Sequence, residues 1–430
     1  MSSEGTHVLL PIEAEAYIED ITKIDLKDVG NKKWGQQHER IEKINMQAVM
    51  SATQQTDEFI KEFLITYEKL PVLIGDLITT EIWKEKIFTE LVKMNFEPKI
   101  TFPIYIVLYH EATVCNLLET VMYHRDACEA TEDVILDLLD YCYRKLTHII
   151  ASYELINQKK SIEFEVCVKS VSLLRYITDH MDGLPLSVTS RLLNTLDIPV
   201  LLVELIENPP WTKRQHGQLY KYIENKWQLV ARDDMFKITK IEGQVWICVY
   251  HVLMDQNCQQ KYDLNSYRKN VILKLRGYIN EMLLDQLPIL GELQRYLEHL
   301  SMMEPPPVKQ DLVLEQLPEI RDSIINEYNG KWKKMAVQQS KTQFNPSNCD
   351  IQQQAKRWAD TYNMDVLENL ISDPPKCAVC GEPATKRCSR CQNEWYCRRE
   401  CQVNHWTKHK KACNLMFDSL KTDLKTAVKT

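Results

Sequence analysis

Residues Cys377 to Cys413 read CAVCGEPATKRCSRCQNEWYCRRECQVNHWTKHKKAC and hold seven of the chain's 14 cysteines. The candidate ligands are Cys377-x2-Cys380, Cys388-x2-Cys391, Cys397-x3-Cys401 and His409-x3-Cys413. Eight thiols and imidazoles at these spacings match two tetrahedral zinc ions, each taking four sulfur or nitrogen ligands. A Cys-x2-Cys pair sits on a tight turn from which both sulfurs reach one ion. His409 and Cys413 lie about one helical turn apart, on one face. Spacing alone permits either a sequential or an interleaved assignment of the eight. His405, four residues before His409, is an extra candidate, but two tetrahedra are complete without it. With every position filled by protein and none left for water, the zinc is read as structural.

So short a stretch, with few large apolar side chains, does not bury enough surface to fold unaided. Bound metal makes up the shortfall. The stretch is also the basic part of an acidic chain. Residues 377–430 carry a formal charge of +6 and the remainder −13, for −7 in total. Seven thiolates and two Zn²⁺ lower the finger region to about +3. That is a weak footprint for nucleic acid, and none is expected as a partner.

Outward from the finger, the text turns helical. The composition is 44% hydrophobic and 26% charged with only 11 glycines, which favours a helical protein with a sizeable core. The most apolar window, Ile104 to Tyr109, is too short to span a bilayer, so no membrane insertion is expected. The N-terminus lacks a basic region followed by a long apolar run. The seven other cysteines (Cys115, Cys128, Cys142, Cys167, Cys248, Cys258 and Cys349) are scattered through helical text. A reducing compartment is expected.

Apolar residues recur at helical spacing from Ile41, Ile44 and Ala48 onward. Thr131 reads as an N-cap, with Glu132 and Asp133 in the first turn. Ser187 reads as a second cap. Prolines at 185, 199, 209 and 210 punctuate short helices, as in irregular armadillo- or HEAT-like stacks. The expected fold is therefore mostly α, an irregular solenoid-like body over 1–303. A β-hairpin is expected within 217–232, turning at Glu224-Asn225. Pro305 to Pro307 make 304–317 a stiff connector. Helices follow over 318–371, with Pro318 in the first turn, then the finger at 377–413 and a tail at 414–430. No phosphate loop or dinucleotide fingerprint occurs. Cys142 near His148 and Cys248 near His251 read as core residues rather than catalytic dyads. The chain is expected not to be an enzyme.

The finger pattern, with Tyr396-Cys397, Cys401-Gln402, Trp406, His409-Lys410 and Cys413, resembles the MYND-type zinc fingers. The resemblance implies a cross-brace. Cys377, Cys380, Cys397 and Cys401 would hold one zinc, and Cys388, Cys391, His409 and Cys413 the other. It also implies that the finger binds short proline-containing peptides, with Gln402 and Trp406 in the groove. The residues suit that role: Glu394, Trp395 and Tyr396 can form a strand whose edge accepts an extended peptide. Trp406 offers an aromatic face to proline rings, and Gln402 can bond peptide backbone. Padding of the zinc module is the competing use of these aromatics.

A wider resemblance covers nearly the whole chain. The strings TFPIY (101–105), LLRYITD (173–179), GQVW (243–246), LLDQL (283–287) and DLVLEQ (311–316), with Lys386 to Cys397, are similar to MYND-family members in which a long helical region precedes one C-terminal finger. This resemblance implies a cytoplasmic assembly factor for axonemal dynein arms, also at centriolar satellites. Its implied partners are dynein assembly factors, chaperones, co-chaperones and dynein chains. A transcriptional co-repressor adaptor is the alternative, with Lys386, Arg387, Arg390, Arg398 and Arg399 as phosphate contacts. A lysine methyltransferase is not expected, because only residues 414–430 follow the finger.

Overall fold

Several helices in this chain begin where a side chain takes up N–H groups left over by the first turn. Asn31 accepts from the Trp34 N–H at 2.8 Å and starts the helix Lys32–Gln54. Thr239 and Glu242 bond each other's backbone N–H at 3.2 and 2.6 Å, a capping box that starts Lys240–Met254. Two expected caps act differently. The Thr131 hydroxyl donates to the Cys128 carbonyl at 2.6 Å, closing the preceding turn. Ser187 lies inside the helix Leu186–Ser190, which Pro185 begins. Pro318 likewise precedes the helix Ile320–Tyr328 instead of opening it.

The computed structural model describes residues 8–151, 161–231, 234–303, 316–347, 377–390, 394–407, 409, 410 and 413. The chain forms two units, Met1–Thr361 and Tyr362–Thr430. The later part of the helices expected over 318–371, most of the 304–317 connector and the 414–430 tail lie outside the described residues.

The first unit is mostly α, as expected. Its helices pack as an irregular stack. Lys32–Gln54 and Leu70–Ile82 lie against Phe102–Val121, which lies against Ser161–Asp179. The last packs also on Ile135–Ala151 and Lys240–Met254. One continuous core runs through it, from Leu9 to Phe344. The cysteines of the discounted dyads belong to that core. Cys142 and Cys248 are fully buried. Burial pushes the Cys248 thiol up to about 12. His251 pairs instead with Asp179 at 3.0 Å.

The sheet is larger than the expected hairpin. Three antiparallel strands, β1 (Thr212–Gln215), β2 (Gln218–Ile223) and β3 (Lys226–Leu229), form a meander. Glu224 and Asn225 both take positive φ, the backbone of a tight two-residue turn. The polar Lys213-Arg214-Gln215 run masked the first strand.

A second difference concerns the helices after the connector. Ile320–Tyr328 and Trp332–Lys341 are not a segment apart. They fold back onto Leu70–Ile82 and the adjoining Trp83–Lys93 stretch and belong to the body. Asp137 accepts from the Ile320 N–H at 2.9 Å. The Trp83 indole donates to Gln339 at 2.8 Å, and Tyr328 donates to Asp25. Phe344 is fully buried against Trp83, ring centroids 5.6 Å apart. Its ring also lies so near Gly30, at φ +84°, that a Cβ there would meet it at 3.0 Å.

At the centre of the stack, fully buried Glu111 accepts from Lys84 at 2.6 Å, Lys145 at 2.7 Å and the Tyr141 hydroxyl at 2.7 Å. Desolvation works to raise its pKa, but Lys145 and Lys84 outweigh it and hold the carboxyl at about 2, against an ordinary 4.5. The ionised form is favoured by folding. Its contribution is therefore present above about 4.5 and is lost as pH falls from there through about 2. Urea titrations across that window will show falling stability, with a shallower fall in Glu111→Gln; an unchanged slope contradicts the assignment. Phe344→Ala is expected to cost about 3–5 kcal/mol in the same measurement.

Candidate metal centre

The finger is built from a knuckle, a ribbon and a helix. In the knuckle, the Cys377 N–H donates to the Glu382 carbonyl at 2.7 Å, and the Gly381 N–H to the Cys377 carbonyl at 2.9 Å. Gly381 sits at φ +75°, where a side chain would be strained. The ribbon pairs β4 (Lys386–Arg387) with β5 (Trp395–Tyr396). Residues 399–407 are helical and carry Cys401, Gln402, His405 and Trp406. The small core consists of cysteines with Ala384 and Tyr396, and Trp395, Cys397 and Trp406 pack against it. This is the deficit of apolar surface that the sequence implies.

Two groups of ligand atoms come together. The sulfurs of Cys377, Cys380, Cys397 and Cys401 lie within 4.8 Å of one another, as do the ligand atoms of Cys388, His409 and Cys413. Cys391 lies outside the described residues. The grouping is interleaved: Cys380 and Cys388, neighbours in sequence, fall in different groups. Cys380 to Cys397 is 3.4 Å, Cys397 to Cys401 is 3.7 Å, and Cys388 to Cys413 is 3.8 Å. Four sulfurs around one zinc at about 2.3 Å stand about 3.8 Å apart, so the donors fit the ion.

The electrostatics agree. Burial acts to raise the Cys377 thiol, yet backbone N–H groups of Cys380, Cys397 and Val379 bring it down to about 6. Hydrogen bonding to Cys380 pushes Cys397 the other way, up to about 12. Sulfurs this close do not all ionise unless a cation stands among them. His405 is in neither group. Its Nδ1 lies 3.0 Å from the Tyr396 hydroxyl, and its ring stacks on His409, centroids 5.7 Å apart. It braces a candidate ligand, a role that its four-residue spacing from His409 signalled only as competition.

The aromatic residues divide. Gln402 and Trp406, four apart, share one helix face. Trp406 is half-buried and edge-on to His409 at 6.1 Å, while Val403 beside it is 62% exposed. Trp395 lies on the ribbon, apart from that face. The Arg387 guanidinium lies 4.4 Å over its ring, and its carbonyl accepts from the Ala378 N–H at 3.0 Å. The outer edge of β5 is thus already used at Trp395.

Residues 377–413 match the family model described as the MYND finger. Over 94% of its length the chain is 32% identical to the zinc finger MYND domain-containing protein 10 homolog of Drosophila melanogaster, 98% of which is covered. The chain belongs to the zinc finger MYND domain-containing protein 10 family. The match spans both the helical region and the finger, and the Cys/His groups are those of structural zinc binding. Shorter likenesses exist to ubiquitin carboxyl-terminal hydrolases 17 and 19 of Arabidopsis thaliana, 48% over 51 residues and 44% over 45. They cover 12% and 10% of this chain and 7% of each hydrolase, so no hydrolase activity passes to it. No solved structure matches the chain.

Metal analysis of the purified chain should return two zinc ions, with one lost in Cys391→Ser. His405→Ala should keep both; loss of an ion in that variant would make His405 a ligand.

Proposed function

We propose that this chain is a non-enzymatic adaptor whose finger captures partner segments, and that it works in the cytoplasm in assembling axonemal dynein arms alongside chaperones. In this reading Cys377, Cys380, Cys397 and Cys401 hold one zinc, and Cys388, Cys391, His409 and Cys413 the other. The zinc supplies rigidity. With four protein ligands on each ion, no position is left for a reacting water.

The carrying observation is the helix face of Gln402 and Trp406 with exposed Val403 beside them. An amide and an indole four residues apart on a metal-braced helix offer a hydrogen bond and a flat apolar surface. Proline-containing peptides suit such a surface, because their backbone is already extended and loses little entropy on docking. Trp395, on the neighbouring ribbon, adds a second aromatic residue to the finger. The dynein-arm setting is what the resemblance noted in the sequence implies, and the family likeness that backs that resemblance covers 94% of the chain. The extent of that likeness weighs against reading the finger as a co-repressor module by itself.

Affinity purification from ciliated cells tests the proposal. The intact chain should bring down chaperones and dynein chains, and Trp406→Ala should reduce that recovery by about tenfold while retaining its zinc. Recovery of chromatin components instead, or full recovery with Trp406→Ala, would contradict it.

A further inference from the structure

The finger carries positive charge that its own fold does not use. Residues 377–413 hold eight Lys and Arg against three acidic residues, Glu382, Glu394 and Glu400. Some of the cations are engaged inside the module. Arg387 covers the Trp395 ring at 4.4 Å, and Arg398 bonds the Cys401 sulfur. Arg399 and Lys410 differ. Both are exposed, and neither meets a hydrogen-bond or ion-pair partner among the described residues.

Their place on the helix gives these two cations a direction. Arg399, Gln402, Val403 and Trp406 follow one another at i, i+3, i+4 and i+7, the spacing of one helix face. Lys410 stands four residues beyond Trp406, again in helical backbone. A row therefore runs cation, amide, valine, indole, cation. Successive residues turn about 100° round a helix, so Glu400 leaves the row although it adjoins Arg399. Glu382, in the knuckle, and Glu394, before β5, are not on this helix. No carboxylate stands in the row.

At about 1.5 Å of rise per residue, Arg399 and Lys410 stand about 16 Å apart along the helix. An extended proline run advances about 3.1 Å per residue, so about five such residues span the gap. A segment laid on Gln402, Val403 and Trp406 then meets a cation at either end. Arg399 offers a carboxylate a planar fork, and Lys410 a point charge. We propose that the finger selects proline-containing segments flanked by acidic residues, with Arg399 and Lys410 holding carboxylates at the two ends. The inference rests on the reading of the finger as a surface that captures proline-containing segments, and it names the charge such a segment carries. Exposed ion pairs add little affinity each, but they discriminate between partners and speed encounter.

The test is calorimetric titration of the full-length zinc-loaded chain with two synthetic peptides, pentaproline flanked by two aspartates at each end and pentaproline flanked by serines. A DNA duplex is titrated alongside, and zinc content is read in parallel. The aspartate peptide is expected to bind about tenfold tighter at low salt, an advantage that shrinks as added salt screens the ends. The chain carrying both Arg399→Gln and Lys410→Gln should keep its zinc, bind the serine peptide as before and lose the preference. Lys334→Gln, in the helical body, should retain it. Equal binding of the two peptides by the native chain, or a preference that survives the double substitution, would overturn the inference and leave the capture reading standing. Binding of neither peptide would overturn both. Tighter binding of the DNA duplex than of the aspartate peptide would overturn the inference by assigning these cations to phosphate.

Discussion

Burial of apolar surface is open to the first 347 residues and denied to the finger, and the two units answer that constraint differently. The body threads one apolar core from Leu9 to Phe344. Its polar interactions then decide which helices meet. The finger has little more than Ala384, Tyr396 and its cysteines inside. There, order depends on drawing ligand atoms to two points. Metal coordination replaces the hydrophobic core as the source of cooperativity. The same coordination braces the helix of Gln402 and Trp406, on which the proposed recognition surface rests.

In the body, ions at the centre take on a comparable organising role. Glu111 and Glu81 sit among Lys84, Lys145, Arg144 and Arg321, drawn from helices far apart in sequence. Buried ion pairs give little net stability over apolar packing, but a wrong arrangement of them is heavily penalised. The network therefore specifies one packing of an otherwise generic helical stack. Arg321 extends it to the returning helix Ile320–Tyr328, so that closure of the body depends on the same carboxylates.

Legibility in the sequence followed the range of the interaction. The finger was readable because thiol spacing is local and few ions accept it. Helices were readable from Ile41, Ile44 and Ala48 onward, since apolar periodicity is local too. Caps were less so: the hydroxyls of Thr131 and Ser187 found nearer or different partners than a first-turn N–H. The strand Thr212–Gln215 was hidden because an exposed edge carries Lys and Arg in place of an alternating apolar pattern. The return of Trp332–Lys341 onto Trp83 was invisible, because no local signal tells Gln339 that its partner is an indole 256 residues away. Spacing alone left the interleaving of ligands open; the family resemblance implied it, and the grouping of Cys377 with Cys397 and of Cys388 with Cys413 agrees with it.

The division of labour between apolar burial and metal is open to one direct measurement, hydrogen exchange by mass spectrometry on the full chain before and after removal of zinc with a high-affinity chelator. Protection should vanish across 377–413 and remain in Phe102–Val121 and Ser161–Asp179, whose burial needs no metal. Loss of protection in those two helices together with the finger would show that zinc also holds the body, and would contradict the account.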